Sequence, residues 1–357
     1  CVFAGHFPVV GLYLLESTYM GMKLPAFLTT RKTARYAGGA VVLVAVFSLG
    51  FFTHSFISKD VDDVSVREYD ERYQFIRPLL ICQVNEDTET SELISLKGSI
   101  EGILDKERAA GHVANASVYF RDLDSGEWTG VRELETHAPA SLLKVPIMMA
   151  YFRQSRTAPS ILDTRYTYAS DGPGNSLVKV PLLVEGRSYS VRDLIRGMII
   201  QSDNGAKTIL ENTVDKDALL ETYRALGIVD PYSGTKDVYE ISAKQYSLFF
   251  RVLYNGTFLG RERSNEALKI LSESEYDLAI RAGTPKDVTV ANKFGLRIKD
   301  EESGGQDIEL SDCGIVYHAV SPYLLCVMTE GDNPYELGDV IKQIAEVAYQ
   351  AVDVKKQ

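Results

Sequence analysis

Three short groups of residues in this chain have the types and spacing for serine acyl transfer. The first is Ser141-Leu-Leu-Lys144. Residues three apart share one face of a helix, so the lysine amine can stand beside the serine hydroxyl. A serine that opens a helix also has free backbone N–H groups nearby and a dipole that favours developing negative charge. A lysine kept from water gives up its proton more readily, and the free amine can then take the serine proton and create a nucleophile. The same spacing recurs at Ser176-Leu-Val-Lys179 and Ser233-Gly-Thr-Lys236, so spacing alone does not choose between them. Context does. Ser141 follows Pro139-Ala140 and opens the apolar run LLKVPIMMAYF, which predicts a buried helix over Ser141 to Arg153 that begins at the nucleophile. Ser176 leads into a Pro-containing strand-like stretch, and Ser233 lies in a Gly/Pro-rich loop. Pro146 removes one helical hydrogen bond within two turns of the start and is expected to bend the helix rather than break it.

The second group is Ser202-Asp203-Asn204, a polar break between the apolar stretches LIRGMII and AKTIL. By itself it reads as a helix N-cap. The third is Lys293-Phe294-Gly295, which ends the strand-like run VTVANK and by itself reads as a charge and a turn glycine. The three groups follow in order, 61 and 91 residues apart, on helix, loop and strand.

The elements that must position them follow from periodicity. Leu93 to Ala110 has helical spacing, and Asn115 to Gly130 reads as a hairpin turning at Asp124-Ser-Gly126. Val191 to Glu211 and Ile241 to Tyr254 are helical. Val288 to Lys293, Gly314 to His318 and Leu324 to Thr329 are strand-like, and Pro334 to Val352 is a closing amphipathic helix. Strands at both ends of a helical block predict an α+β fold: one antiparallel sheet flanked by helices, with a helical lobe inserted.

With motifs and elements in this order, the sequence resembles the penicillin-recognising serine enzymes, class A β-lactamases most closely, whose signature is S-x-x-K with S-D-N and K-T-G. The resemblance covers about Leu93 to Val352 and extends to PASLLKVPI and SVRDLIRGMIIQSDNGA around the first two motifs. It implies that Ser141 is the acylated nucleophile and Lys144 its general base. Ser202 would pass a proton to the leaving nitrogen, and Asn204 would hydrogen-bond the substrate's amide side chain. Lys293 would lend positive charge to Ser202 and to a substrate carboxylate. Past Gly295, the backbone N–H of Leu296 would join that of Ser141 in an oxyanion hole, each donor lowering the barrier by about 3 kcal/mol. The implied substrate is a small β-lactam or a peptidoglycan-derived amide, and no metal or cofactor is implied. A Ser-His-Asp triad using His137 or His318 is the rival arrangement, but nothing in the sequence brings either histidine to Ser141.

Two departures from the family stand out. Phe294 replaces the Thr or Ser whose hydroxyl binds a β-lactam carboxylate. The stretch GIVDPYSGTKDVYEIS lacks the Glu-x-x-Leu-Asn motif whose glutamate activates the deacylating water. Glu240 is the nearest candidate base and Asp237 the next. The expected activity is therefore a serine hydrolase whose acyl-enzyme forms but deacylates slowly. The alternatives are a penicillin-binding transpeptidase or carboxypeptidase, and a non-catalytic β-lactam or peptidoglycan sensor.

Composition bounds the rest. Apolar residues are 45% and charged residues 24% of the 357, a globular balance, and the net charge of −11 argues against nucleic-acid binding. The four cysteines form no CxxC pair, which argues against a zinc module; Cys313 and Cys326 are read as buried free thiols rather than a bridge. YAGGAVVLVAVFSLGFFTHS, over 36–55, holds no acidic or firmly charged residue, and as a helix it would rise about 30 Å, enough to span a bilayer. Arg31, Lys32 and Arg35 precede it, and Asp60, Asp62 and Asp63 follow, which places the N-terminus in the cytoplasm. The expected organisation is a cytoplasmic segment over 1–35, an anchor over 36–56, a juxtamembrane spacer over 57–92 and the hydrolase domain over 93–357. That makes a single-pass cell-membrane protein with its domain outside the cytoplasm. A cleaved signal peptide is the rival reading. The chain opens on Cys1, so either it is a fragment or its start lies at Met20 or Met22; residues 1–21 are an extra apolar arm or not native sequence.

Overall fold

The computed structural model describes residues 66–81, 91–171, 181–233, 238–300 and 306–354. The apolar run at 36–55, residues 1–21, Asp237, and Ser176 with Lys179 lie outside them. Among the described residues no helix is long and apolar enough to cross a membrane. The described residues all fall within one compact unit. Its elements are β1 (Val66–Arg67), β2 (Leu79–Ile81), α1 (Ser91–Ala109), β3 (Asn115–Asp122), β4 (Trp128–Val131) and β5 (Thr136–His137). A 3₁₀ turn (Ala140–Leu143) then leads into α2 (Lys144–Gln154). After a second 3₁₀ turn (Pro159–Asp163) come β6 (Arg165–Thr167), β7 (Ser188–Ser190), α3 (Val191–Ile200), α4 (Asn204–Thr213) and α5 (Lys216–Arg224). The chain closes with β8 (Ile241–Ser242), α6 (Ala243–Tyr254), α7 (Arg261–Ser272), β9 (Val290–Asp300), β10 (Gln306–Val316), β11 (Tyr323–Gly331) and α8 (Pro334–Val354).

Five strands form one antiparallel sheet in the order β4-β3-β11-β10-β9, so the expected α+β architecture holds. Period-two alternation divides the side chains of β11 between two cores. Tyr323, Leu325 and Val327 pack with Leu96, Ile100, Leu337 and Ile344 of α1 and α8. Leu324 and Met328 face the helical lobe with Met148, Ile195 and Phe250. Helix starts in the lobe are set locally. Ser190 with Asp193 opens α3 and Ser242 with Gln245 opens α6, each a reciprocal capping box.

Three expectations need correction. Cys313 and Cys326 stand directly opposite each other on β10 and β11 and are joined by a disulfide. The buried helix does not begin at Ser141; that serine sits in the 3₁₀ turn, and α2 starts at Lys144. Pro146 is therefore the third residue of α2, where the backbone N–H has no helical partner to lose. The β9–β10 hairpin is also far longer than the runs Val288 to Lys293 and Gly314 to His318. Its outer part carries the charged residues Arg297, Asp307 and Glu309, and Ile298 of the edge strand β9 is exposed, so the apolar signal fades although the ladder continues.

Part of the expected spacer packs on the domain. Phe75 and Ile76 join the lobe core, Phe75 N donates to Asn265 Oδ1 at 2.9 Å, and Tyr317 Oη donates to the Phe75 carbonyl at 2.9 Å.

Candidate active site

The nucleophile turn is positioned from three sides. Ala140, at φ 47°, turns the chain through the left-handed region just before Ser141, a conformation that costs an L-residue roughly 1–2 kcal/mol and is held by its surroundings. Tyr246 Oη, from α6, donates to the Leu142 carbonyl at 2.8 Å. Gly295 of β9 lies flat against the turn. A Cβ there would sit 2.5 Å from the Pro139 carbonyl oxygen and 3.2 Å from Leu142 N. Only glycine lets the edge strand come so close to the nucleophile turn.

The second motif is both a cap and a site. Asp203 caps α4, accepting from Ala206 N at 2.7 Å, while its other oxygen accepts from Tyr168 Oη at 2.9 Å. With Asp203 so fixed, Ser202 is held at φ 55°, a second left-handed non-glycine. Asn204 opens the helix and is exposed.

Lys144 Nζ is the hub. It lies 2.6 Å from the Ser202 carbonyl oxygen, 2.8 Å from Asn204 Oδ1, 3.0 Å from Ser141 Oγ and 3.1 Å from Ser202 Oγ. Two of these partners, the Ser202 carbonyl and Asn204 Oδ1, can only accept. A free amine has two hydrogens and one lone pair, so with both hydrogens spent on those oxygens the lone pair is left for a serine hydroxyl. Burial pulls the Lys144 ammonium down to about 7, with Asp203 opposing and Lys207 assisting. Lys293 is fully buried, and burial together with Lys144 lowers it well below the usual lysine range against the pull of Asp312. Its Nζ donates to Ser202 Oγ at 2.9 Å and to the Phe294 carbonyl at 2.8 Å. Held from that side, Ser202 keeps its own hydrogen for Lys144 or for a leaving group.

Only the free amine can accept a proton, so acylation should rise with pH along a limb centred near pH 7. Labelling rates measured between about pH 5 and about pH 9 check this; a flat profile would remove Lys144 from the base role.

The structure thus gathers Ser141, Lys144, Ser202, Asn204 and Lys293, with Gly295 pressed on the nucleophile turn. Other residues stand elsewhere. Ser233 is exposed and donates to the Asp230 carbonyl at 2.9 Å. His137 is buried with its Nε2 2.8 Å from Ser117 Oγ, and His318 packs at a tilt against Tyr349, so the neighbour at Ser141 Oγ is a lysine and not a histidine. Glu240 is exposed where β5 meets β8 and accepts from Thr136 Oγ1 at 3.3 Å. Three tyrosines, Tyr168, Tyr246 and Tyr276, support the site without belonging to any motif; only their partners reveal them.

A Ser-Lys pair at the edge of a helix-flanked antiparallel sheet, with a second serine shared between two lysines, defines a β-lactamase/transpeptidase-like serine hydrolase. Residues 96–352 match the Beta-lactamase enzyme family, and the chain belongs to that family. Solved structures share the fold. PBP-A is 22% identical at TM-score 0.59, covering 74% of this chain and 97% of its own. A PBP-A variant in an acyl-enzyme complex with penicillin G is 22% identical at TM-score 0.57, covering 73% and 98%. A class A β-lactamase from Mycobacterium abscessus is 20% identical at TM-score 0.60, covering 71% and 98%. No curated protein matches the chain in sequence.

Proposed function

We propose that this domain forms a Ser141 acyl-enzyme with a β-lactam or a cell-wall peptide amide and releases the acyl group slowly. The bonding around Lys144 Nζ carries this reading: two obligate acceptors take its hydrogens and leave the lone pair for the Ser141 hydroxyl. In the first step Lys144 takes the Ser141 proton as Oγ bonds to the amide carbon, and the backbone N–H groups of Ser141 and Leu296 receive the oxyanion. The proton then travels from Lys144 to Ser202 while the Ser202 hydrogen passes to the leaving nitrogen, and the C–N bond breaks. Lys293 steadies the Ser202 oxygen throughout. The acyl-enzyme captured with penicillin G in PBP-A supports the choice of probe.

The test is incubation with a fluorescent penicillin followed by a denaturing gel. Stoichiometric label is expected. A chain that takes no label would instead be a binding or sensor domain that keeps the residues without the reaction. A labelled chain that also transfers its acyl group to an amine from a D-Ala-D-Ala peptide would be a transpeptidase.

We also propose that the domain lies outside the cytoplasm. The Cys313–Cys326 disulfide suits an oxidising compartment, and the apolar run at 36–55 suits an anchor. A reporter active only outside the cytoplasm, fused after Asp60, should be active in a membrane-bound chain; an inactive fusion, or a shortened and released chain, would refute the anchor.

A further inference from the structure

On the strand next to Lys293 lies a buried carboxylate that the mechanism above does not use. Asp312, on β10, is fully buried, and the register sets it between Phe294 of β9 and Val327 of β11. Its Oδ1 accepts from Asn292 Nδ2 at 2.9 Å. Its Oδ2 accepts from the same nitrogen at 3.2 Å and from the Ile280 N–H at 3.1 Å. Asn292 is itself fully buried and immediately precedes Lys293. Its Oδ1 faces Arg281 Nη2 at 3.5 Å, which fixes the direction of the amide; that nitrogen also donates to the Ser272 and Val290 carbonyls at 3.1 and 2.8 Å. Arg281 Nε is buried and makes no hydrogen bond to the described residues, so the guanidinium charge is only partly met by those oxygens.

Both groups that bond to Asp312 are donors and cannot accept. An ionised carboxylate satisfies them. A protonated one brings a hydrogen for which they offer no acceptor, and an unmet polar group is costly in a buried place. The arrangement therefore fits the anion. Burial pushes the Asp312 carboxyl up to about 6, while the bonds from Asn292 and Ile280 and the charges of Lys293 and Arg281 pull it back. The ionisable groups that face it are Lys293 on β9, Arg281 and Tyr276 on the segment between α7 and β9, and Tyr246 on α6. Of these, Lys293 enters the proton relay directly, through Ser202 Oγ at 2.9 Å. Burial and Lys144 draw the proton off Lys293, and Asp312 opposes them.

We propose that Asp312 is a positioning residue for acylation that works only as an anion: it fixes Asn292 beside Lys293, and its charge keeps Lys293 donating to Ser202 Oγ. Protonation of Asp312 releases both holds. The relay then weakens at acid pH by a step separate from the loss of the free Lys144 amine. The inference rests on the acyl-enzyme reading and adds to it a residue that no motif marks.

The test compares second-order acylation rates of wild type and Asp312→Asn with benzylpenicillin from about pH 5 to about pH 9, read by mass spectrometry of the intact protein. Circular dichroism follows the fold over the same range. Asparagine fills the same volume and does not titrate. Wild type should acylate at least tenfold faster well above pH 6, because the anion is then present. Half of that advantage should be lost near pH 6, and about twofold should remain at pH 5. A merely structural role gives a ratio that does not change with pH. A ratio constant over the range, or a folded Asp312→Asn protein that matches wild type throughout, would overturn the inference and leave the acyl-enzyme reading standing. If Asp312→Asn does not fold, wild type decides alone. Its rate should fall about thirtyfold from pH 6 to pH 5, against about tenfold for loss of the Lys144 amine by itself, and the smaller fall overturns the inference. Absence of label from wild type at every pH overturns both readings.

Discussion

Ser141→Ala should abolish covalent capture of a labelled penicillin, while Ser176→Ala and Ser233→Ala should leave it unchanged. All three serines share the Ser-x-x-Lys spacing, so the contrast isolates what tertiary placement adds. Ser141 Oγ has a buried lysine amine 3.0 Å away, whereas the Ser233 hydroxyl is spent on the Asp230 carbonyl of its own loop. Lys144→Met keeps the nucleophile and removes the base; loss of general-base help typically lowers a rate by about 10²–10⁴. Its labelling should therefore persist at a rate reduced by that order, and it should lose the limb near pH 7. Label retained by Ser141→Ala would refute the mechanism, and an unchanged rate in Lys144→Met would assign the base to another group.

A chromogenic cephalosporin should give a burst of about one product per enzyme and then turn over slowly. Acylation draws on Ser141, Lys144 and Ser202, which the structure brings together. Deacylation needs a water held and deprotonated at the ester, and the loop between α5 and β8 offers little for that. Its described carboxylates are Asp230, whose Oδ1 accepts from Tyr232 N at 2.9 Å within the loop, and Glu240, which accepts from Thr136. A missing base should slow the second step relative to the first by about 10²–10⁴. Glu240→Gln should leave the slow phase within about twofold; a larger fall would identify Glu240 as the base after all. Sustained turnover with no burst would show that a base has been overlooked.

Both predictions begin from residues legible in the sequence. A three-residue spacing opening an apolar run, a Ser-Asp-Asn break between two helices, and a Lys-x-Gly at a strand end are local patterns. Local patterns survive without a fold because helix and strand periods bind neighbours to known faces. The α+β order was legible for the same reason.

What lies between distant segments was not legible. That Ser202 Oγ stands between Lys144 and Lys293, 58 and 91 residues away, is a property of sheet register and lobe packing. Phe294 reads in the sequence as bulk beside the site; the structure buries its ring 4.2 Å from Lys293 Nζ and stacks it on Tyr276, a residue that no motif marks. Cys313 and Cys326 read as free thiols because thirteen residues of separation say nothing of register, and a shift of one residue would have put them on opposite faces. The sequence by itself determined which atoms are available for acyl transfer and which elements carry them. Only the tertiary structure decided which lone pair faces which hydroxyl and which donors remain unspent, because hydrogen bonds and ion pairs depend on distances of a few ångströms that long-range packing alone sets.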